Sequence, residues 1–458
     1  MGRIRRSMEC TIVDRTDIVP ETASSMFTPA DSSRFVLSRV RQAVANLDAW
    51  LESVKQTTGY GGPVAHWWRH SLLYAGPGLD WRYEGILCGY ASLYRKTGQA
   101  LWLERINDAI SHIEQGQLPD GGLQASEFEI NPGTLGTPHE AAAVLGLLDC
   151  ADCLSTGARQ RVLSLAESIL QNIIEKLWDH STGGFNDRPG FVGRVPNKLA
   201  TLAEALLRFY ESTGERAYLG YARSSLDDVV NYQLTQGVYT GAVHQYAPGV
   251  GRGDGRLFPY YNARCVPGLL YGQRVLGEER YGDSAEHIAR FIERSLDEDH
   301  WPQILYVTNG VARWPSWIAG TGDILRALRL QGRDVLGHPA LGRLLDAQLS
   351  TGGFPTAEGF ALRGSARKKP EKIDWLDVLP VCGWNDKVLR FLAEVLPAGD
   401  EVSKSDVFRT SMDVQFHRMP ATYEEDESEL VIRVQDRVVL RWSKKDPWVE
   451  TQFRPPSL

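Results

Sequence analysis

The chain has no excess of basic residues. Its 50 Lys and Arg stand against 57 Asp and Glu, a formal net charge of −7 over 458 residues. A surface built to neutralise phosphates is not indicated, so neither nucleic acid nor an anionic membrane is an expected partner. No apolar run approaches the ~20 residues that span a bilayer. Behind the basic Met1-Gly-Arg-Ile-Arg-Arg6 there is no apolar core of the kind that drives secretion. The expected location is cytoplasmic. Cysteine is scarce, with six in all, and most of Cys10, Cys88, Cys150, Cys153, Cys265 and Cys382 fall inside apolar helical stretches. Buried free thiols fit that placement. Cys150 and Cys153 have the spacing of half a zinc site, but no second CxxC or His pair accompanies them, so no metal is expected. Phosphate loop, dinucleotide fingerprint and serine elbow are all missing, and no organic cofactor is implied.

Aromatics and glycine are plentiful, with 13 Trp, 17 Tyr and 44 Gly, and they recur with a period. Six times a loop rich in Gly, Pro and aromatics runs into an apolar helical stretch. The openings are Leu79-Asp80-Trp81, Thr137-Pro138-His139, Val195-Pro196-Asn197, Phe258-Pro259-Tyr260, Trp314-Pro315-Ser316 and Ile373-Asp374-Trp375, spaced by about 58, 58, 63, 56 and 59 residues. Each of the first five openings leads through a helix, a tight turn and a second helix, the fourth pair starting at Val266 and the fifth at Ile318, and the sixth leads into one closing helix, Leu376–Val395. With a first helix over 32–54, twelve helices are expected. Two turns rhyme, Lys96-Thr97-Gly98 before Trp102 and Ser212-Thr213-Gly214 before Tyr218; Gly supplies a left-handed cap and the aromatic packs the new helix on the old. Loops ending Gly121-Gly122-Leu123, Gly183-Gly184-Phe185 and Gly352-Gly353-Phe354 follow three of the outer helices. Residues 1–31 read as a loose arm, 32–396 as one ring of hairpins, and 397–458 as a linker and β-rich appendage with a hairpin turning near Gln435-Asp436.

These hairpins and turns resemble the six-hairpin glycosidase superfamily, whose members are all-α, (α/α)6 toroids. That group includes unsaturated glucuronyl hydrolases, N-acylglucosamine 2-epimerases, helical domains of uronyl C5-epimerases and several polysaccharide lyases. The resemblance covers residues 33–396 and implies a carbohydrate-active enzyme. It names an architecture, not one member's catalytic motif. Gln117 to Leu123 and Gln348 to Phe354 also fit loosely the Q-x-x-x-G-G turn of terpenoid cyclases and prenyltransferases. The D-x-D-D acid motif and a zinc set are absent, which counts against that alternative.

In such a ring the inner helices begin at one mouth, where their free N–H groups favour an anion. The sequence places there Asp80, Glu84, His139, Glu140, Asn197, Tyr260, Tyr261, Asn262, Arg264, Trp314, Trp317, Asp374, Trp375 and Asp377. Preceding loops add His66, Trp68 and His244. Aromatic walls with interspersed polar groups suit a sugar, whose ring faces stack while its hydroxyls need donors and acceptors. The expected substrate is a uronate-containing oligosaccharide. For a lyase or C5-epimerase, Tyr260, Tyr261 or His139 would move the proton while Asn262 and Arg264 hold the carboxylate. A hydrolase would draw on Asp80, Glu84, Glu140, Asp374 and Asp377. A 2-epimerase would want two facing imidazoles, His139 and His244. Trp68, Trp314 and Trp375 would form stacking walls. A glycan-binding scaffold without turnover is the remaining alternative. Each residue also has a structural reading: Asp80, Asn197 and Asp374 could be helix caps, and His139-Glu140 could satisfy first-turn N–H groups.

Overall fold

A computed structural model describes residues 29–56, 59–60, 62–66, 71–75, 79, 81–124, 137–190, 193–246, 255–349, 351–359, 377, 380–403 and the strand segments 411–416, 419–425, 429–434, 437–443 and 450–451. Of these, residues 29–32, 53, 56, 62–66, 71–75 and the strands beyond 410 are described by backbone alone. Twelve α-helices appear among them. Six form an inner ring: α2 (Arg82–Thr97), α4 (Ala141–Cys150), α6 (Pro196–Thr213), α8 (Pro259–Leu276), α10 (Thr321–Leu330) and α12 (Cys382–Val395). Each packs on the next, and α12 returns to α2. The outer helices are α1 (Pro29–Val54), α3 (Ala100–Gln115), α5 (Thr156–Leu177), α7 (Tyr218–Asn231), α9 (Glu279–Arg294) and α11 (Pro339–Asp346). The sixth pair is made by the two ends of the ring, α1 lying against α12.

Side-chain chemistry separates the two layers. The Ala141–Leu148 run of α4 is buried on every face, as a helix enclosed by neighbours requires. On α9, Tyr281, Ala285, Ile288, Ala289 and Ile292 make one buried stripe and the remaining face is charged. The inner helices approach closely because glycine stands at the crossings. A Cβ on Gly85 would lie 2.3 Å from the Asp386 carbonyl, on Gly146 2.6 Å from that of Tyr83, and on Gly268 2.3 Å from that of Ala200.

Both rhyming turns do what the sequence predicts. Gly98 and Gly214 cap their helices at φ 66° and 79°, donating to Tyr94 O and Tyr210 O. Trp102 then stacks on Tyr90 at 5.8 Å, and Tyr218 meets Phe209 edge-on at 5.1 Å. The glycine loops are tied by a glutamine: Gln117 Nε2 donates to Gly121 O, and Gln348 Nε2 to Gly352 O. The loop Gly241-Ala242-Val243 uses Gln233 in the same way, a relation its sequence disguises by four extra residues. Leu123, Phe185, Val243 and Phe354 are all buried.

The starts of α8, α10 and α12 differ from expectation in ways that bear on the site. α8 opens at Pro259, seven residues before Val266, and carries Pro267 inside it. Before α10, Ser316–Trp317 pairs as a strand with Ala357–Glu358, so the helix begins only at Thr321. Pro380 is drawn into a bridge with Pro355, and α12 begins at Cys382, not Leu376. Beyond the ring, four antiparallel strands lie in sequence order, and the last two pair from Val434 with Arg437, flanking positions 435 and 436. Glu450–Thr451 pairs with the strand Ser71–Ala75, itself paired with Gly62–His66. Among the described residues no helix is long and apolar enough to cross a membrane.

The crossings give a direct test. G268A should cost about 1–3 kcal/mol, because its methyl meets backbone that cannot move aside. G220A, on an exposed face of α7 with open space around it, should be neutral or gain up to about 1 kcal/mol. Denaturant melts of both variants measure the contrast; equal effects would contradict the packing.

Candidate functional site

The first turns of the inner helices bring aromatic rings together over buried charge. Trp81, just before α2, stacks on His139 from the 3-10 turn Pro138–Glu140, with centroids 5.7 Å apart and planes at 16°. Trp384 of α12 meets Trp81 edge-on at 5.3 Å, Tyr260 of α8 at 4.9 Å and Trp317 at 4.8 Å. Trp81, Tyr260 and Trp317 are buried, whereas Trp384 and His139 are half-buried. Stacked indole faces with a polar edge are the surface a sugar ring requires.

Against these rings lies an ion cluster that closes the axis of the toroid. Arg264 of α8 grips Glu84 of α2 with both guanidinium nitrogens, at 3.0 and 2.6 Å. Lys387 Nζ reaches the second Glu84 oxygen at 3.0 Å, and Arg390 reaches the first. Arg264 also touches Asp323 Oδ2 at 3.3 Å, the same oxygen that accepts the Tyr260 hydroxyl at 3.2 Å. Lys387 continues to Trp81 O and to Asp386 Oδ2, both at 2.7 Å. Every member is under a tenth exposed. Farther along, Arg390 and Arg326 share Glu394.

This environment sets the protonation states. Burial alone would raise the Glu84 carboxyl, but Arg264, Lys387 and Arg390 hold it well below the usual carboxylate range. Burial, and then Arg264, Lys198 and Lys387, push His139 well below the usual imidazole range, so it is neutral at pH 7. Its Nε2 is screened from solvent and finds no hydrogen-bond partner among the described residues. Burial and the adjacent Asp323 raise the Tyr260 phenol, which therefore keeps its proton.

The structure brings together Glu84, His139, Tyr260, Arg264 and Trp317, residues the sequence scatters over more than 230 positions. Other expected residues are used differently. Asn262 does not reach toward a ligand: its amide accepts from Val243 N at 2.6 Å and donates to Val243 O and Phe258 O, clamping the glycine loop to α8. Asn385 does the same for Phe354 and Val381. Arg264 and Glu84 satisfy each other and are not open contacts for a substrate carboxylate or hydroxyl. Tyr261 stands about 100° around α8 from Tyr260 and packs on Phe258 at 4.9 Å. Trp314 is no rim wall; it is buried and stacks on His300 at 5.6 Å, because the strand after it delays α10. Asn197 is buried in the first turn of α6, where its carbonyl accepts from Thr201. Glu140 is half-buried beside His139. His244 is half-buried in the loop before α8, its N–H donating to Tyr232 O, and no stacking or hydrogen bond pairs it with His139 among the described contacts. Asp377 is half-buried ahead of α12. Trp68, Asp80, Asp374 and Trp375 lie outside the described residues, as does the side chain of His66.

Trp384, Asp323, Asp386, Lys387 and Arg390 were not among the expected residues. Their signal was present: Asp323, Asp386, Lys387 and Arg390 are charged residues within apolar inner-helix stretches, and Trp384 stands in the first turn of α12. Displacing the α12 start from 376 to 382 hid four of the five.

No protein-family model matches the chain, and no curated protein matches it by sequence. Solved structures do match. Cellobiose 2-epimerase from Bacillus thermoamylovorans is 14% identical with a TM-score of 0.57, covering 78% of this chain and 100% of that one. A D-mannose isomerase is 13% identical with a TM-score of 0.58, covering 81% and 99%. An unsaturated glucuronyl hydrolase specific for heparin is 10% identical with a TM-score of 0.56, covering 79% and 96%. The chain is an (α/α)6 toroid. The resemblance to the six-hairpin glycosidases holds for the fold, and likeness this distant carries no activity with it.

Within the toroid axis, Glu394 provides a pH test. Burial opposes its charge, yet Arg326, Arg390 and Arg329 hold its carboxyl down at about 2. A depressed carboxylate contributes stability that is present above its unfolded value near 4.5 and lost as pH falls through about 2. E394Q should therefore cost about 3 kcal/mol at pH 7, and its deficit should shrink by pH 3. An equal deficit at both pH values, measured by denaturant melts, would contradict the ion pairing.

Proposed function

We propose that this toroid is a carbohydrate-processing enzyme that takes a uronate-containing oligosaccharide at its mouth and removes the proton at C5, as a lyase or C5-epimerase. The observation that supports this most is His139: a neutral imidazole whose Nε2 has no hydrogen-bond partner among the described residues, stacked on Trp81, in a field set by Arg264, Lys198 and Lys387. A neutral imidazole can accept a carbon-bound proton, and nearby cations stabilise the negative charge that then develops on the sugar carboxylate. Tyr260, still protonated and hydrogen-bonded to Asp323, is the acid.

In the elimination, His139 takes H5, the C5–H pair becomes the C4–C5 double bond, the C4–O bond breaks, and Tyr260 protonates the departing oxygen. In the epimerisation, the carbanion is reprotonated at C5 from the other face. A second reading, hydrolysis, draws on Asp323 and Asp386, two carboxyls beside one aromatic wall. The buried charge among the rings counts against an isoprenoid cavity, and a glycan-binding scaffold would bind without turnover. The sugar enzymes that share the fold support the general class.

Ultraviolet absorbance of a new double bond, followed with uronate oligosaccharides, reads the elimination directly. H139A and Y260F should each lower turnover by about 100-fold or more while their melting temperatures stay near wild type. Full turnover in both variants would overturn the assignment.

A further inference from the structure

The proton transfer at C5 makes no use of Asp386, yet its carboxyl sits within the cluster. Oδ2 accepts from Gly85 N at 3.1 Å and from Lys387 Nζ at 2.7 Å. Oδ1 is wholly buried and finds no hydrogen-bond partner among the described residues. The charged and titratable groups acting on it are Lys387 from its own helix, Glu84 from α2, Asp323 from α10 and Tyr260 from α8, while Arg264 and Arg390 pair with the neighbouring Glu84. Lys387 is shared with Glu84, so it cannot cancel both carboxylates. An ionised Asp386 would bury one oxygen with no described group to solvate it, which disfavours the charged form.

We propose that Asp386 is held as a neutral carboxylic acid, leaving the axis with one cation in excess, and that this charge selects an acidic sugar. Arg264, Lys387, Arg390, Arg326, Arg329 and Arg208 then face Glu84, Asp323, Glu394, Glu204 and Asp149. Lys387 lies 5.6 Å from the centre of the Trp81 ring, so the excess charge sits directly behind the stacking wall. Burial, opposed by Lys387 and assisted by Glu84 and Asp323, places the carboxyl at about 8. Asp386 is thus a positioning residue: it acts on the substrate through the charge balance, not by contact. Above its midpoint the carboxyl ionises and the attraction for an anion is cancelled. The sugar-binding half of this inference rests on the proposed function; the proton assignment does not.

Two measurements separate them. Infrared difference spectra of the wild-type protein between pH 6 and pH 10 should show a buried protonated-carboxyl band that disappears at the higher pH and is missing from D386N. Calorimetric binding of a glucuronate-terminated disaccharide should weaken about tenfold from pH 7 to pH 9, since one unit above its midpoint only about a tenth of the carboxyl keeps its proton. In D386N, a neutral isostere, binding should be independent of pH over that range. No such band in the wild type, which requires no variant to fold, would overturn the proton assignment. The band without uronate binding at any pH would support that assignment and overturn the acidic-sugar selection. An equal pH dependence in D386N would overturn Asp386 as its source.

Discussion

Glu84 is the point on which the ring depends. A single carboxylate on α2 is bound by Arg264 from α8 and by Lys387 and Arg390 from α12. Through Arg264 the same cluster reaches Asp323 on α10 and Thr201 on α6. Five of the six inner helices therefore meet in one buried polar network. Removing one partner of such a network strands the rest, at about 3–5 kcal/mol. Apolar packing alone would tolerate small slides between helices; satisfied ion pairs at the axis fix their depth relative to one another.

That arrangement links stability to chemistry. The charges that hold the helices also set the states of His139 and Tyr260, one kept neutral and the other kept protonated. As the proposed base and acid, groups in these states would not need a solvent-exposed carboxylate. The aromatic rings above the cluster exclude water from the charges and offer a stacking face, so neighbouring indoles and guanidiniums have complementary tasks.

The repeat, the capped turns and the glutamine-tied loops were legible in the sequence because each is local. Gly98 with Trp102, or Gln348 with Gly352, is a contact within a few residues, and its chemistry can be read in order. The site was legible only in part. His139 and Tyr260 stand beside the prolines that mark their openings, so they could be placed at the mouth. Trp384, Asp386, Lys387 and Arg390 could not, because Pro380 moves the last helix start by six residues and so changes which side chains face inward. Asn262 and Arg264 illustrate a different limit. Their polar character was read correctly, but the groups that satisfy them, Val243 and Glu84, are fixed only by ring closure.

The central claim is that a neutral imidazole at the mouth removes a carbon-bound proton from an acidic sugar. Proton NMR of a uronate oligosaccharide turned over in deuterated water examines that step directly. The account predicts deuterium at C5 in an epimerised product, or loss of H5 in an unsaturated one. Product formed with H5 fully retained and no new double bond would contradict it.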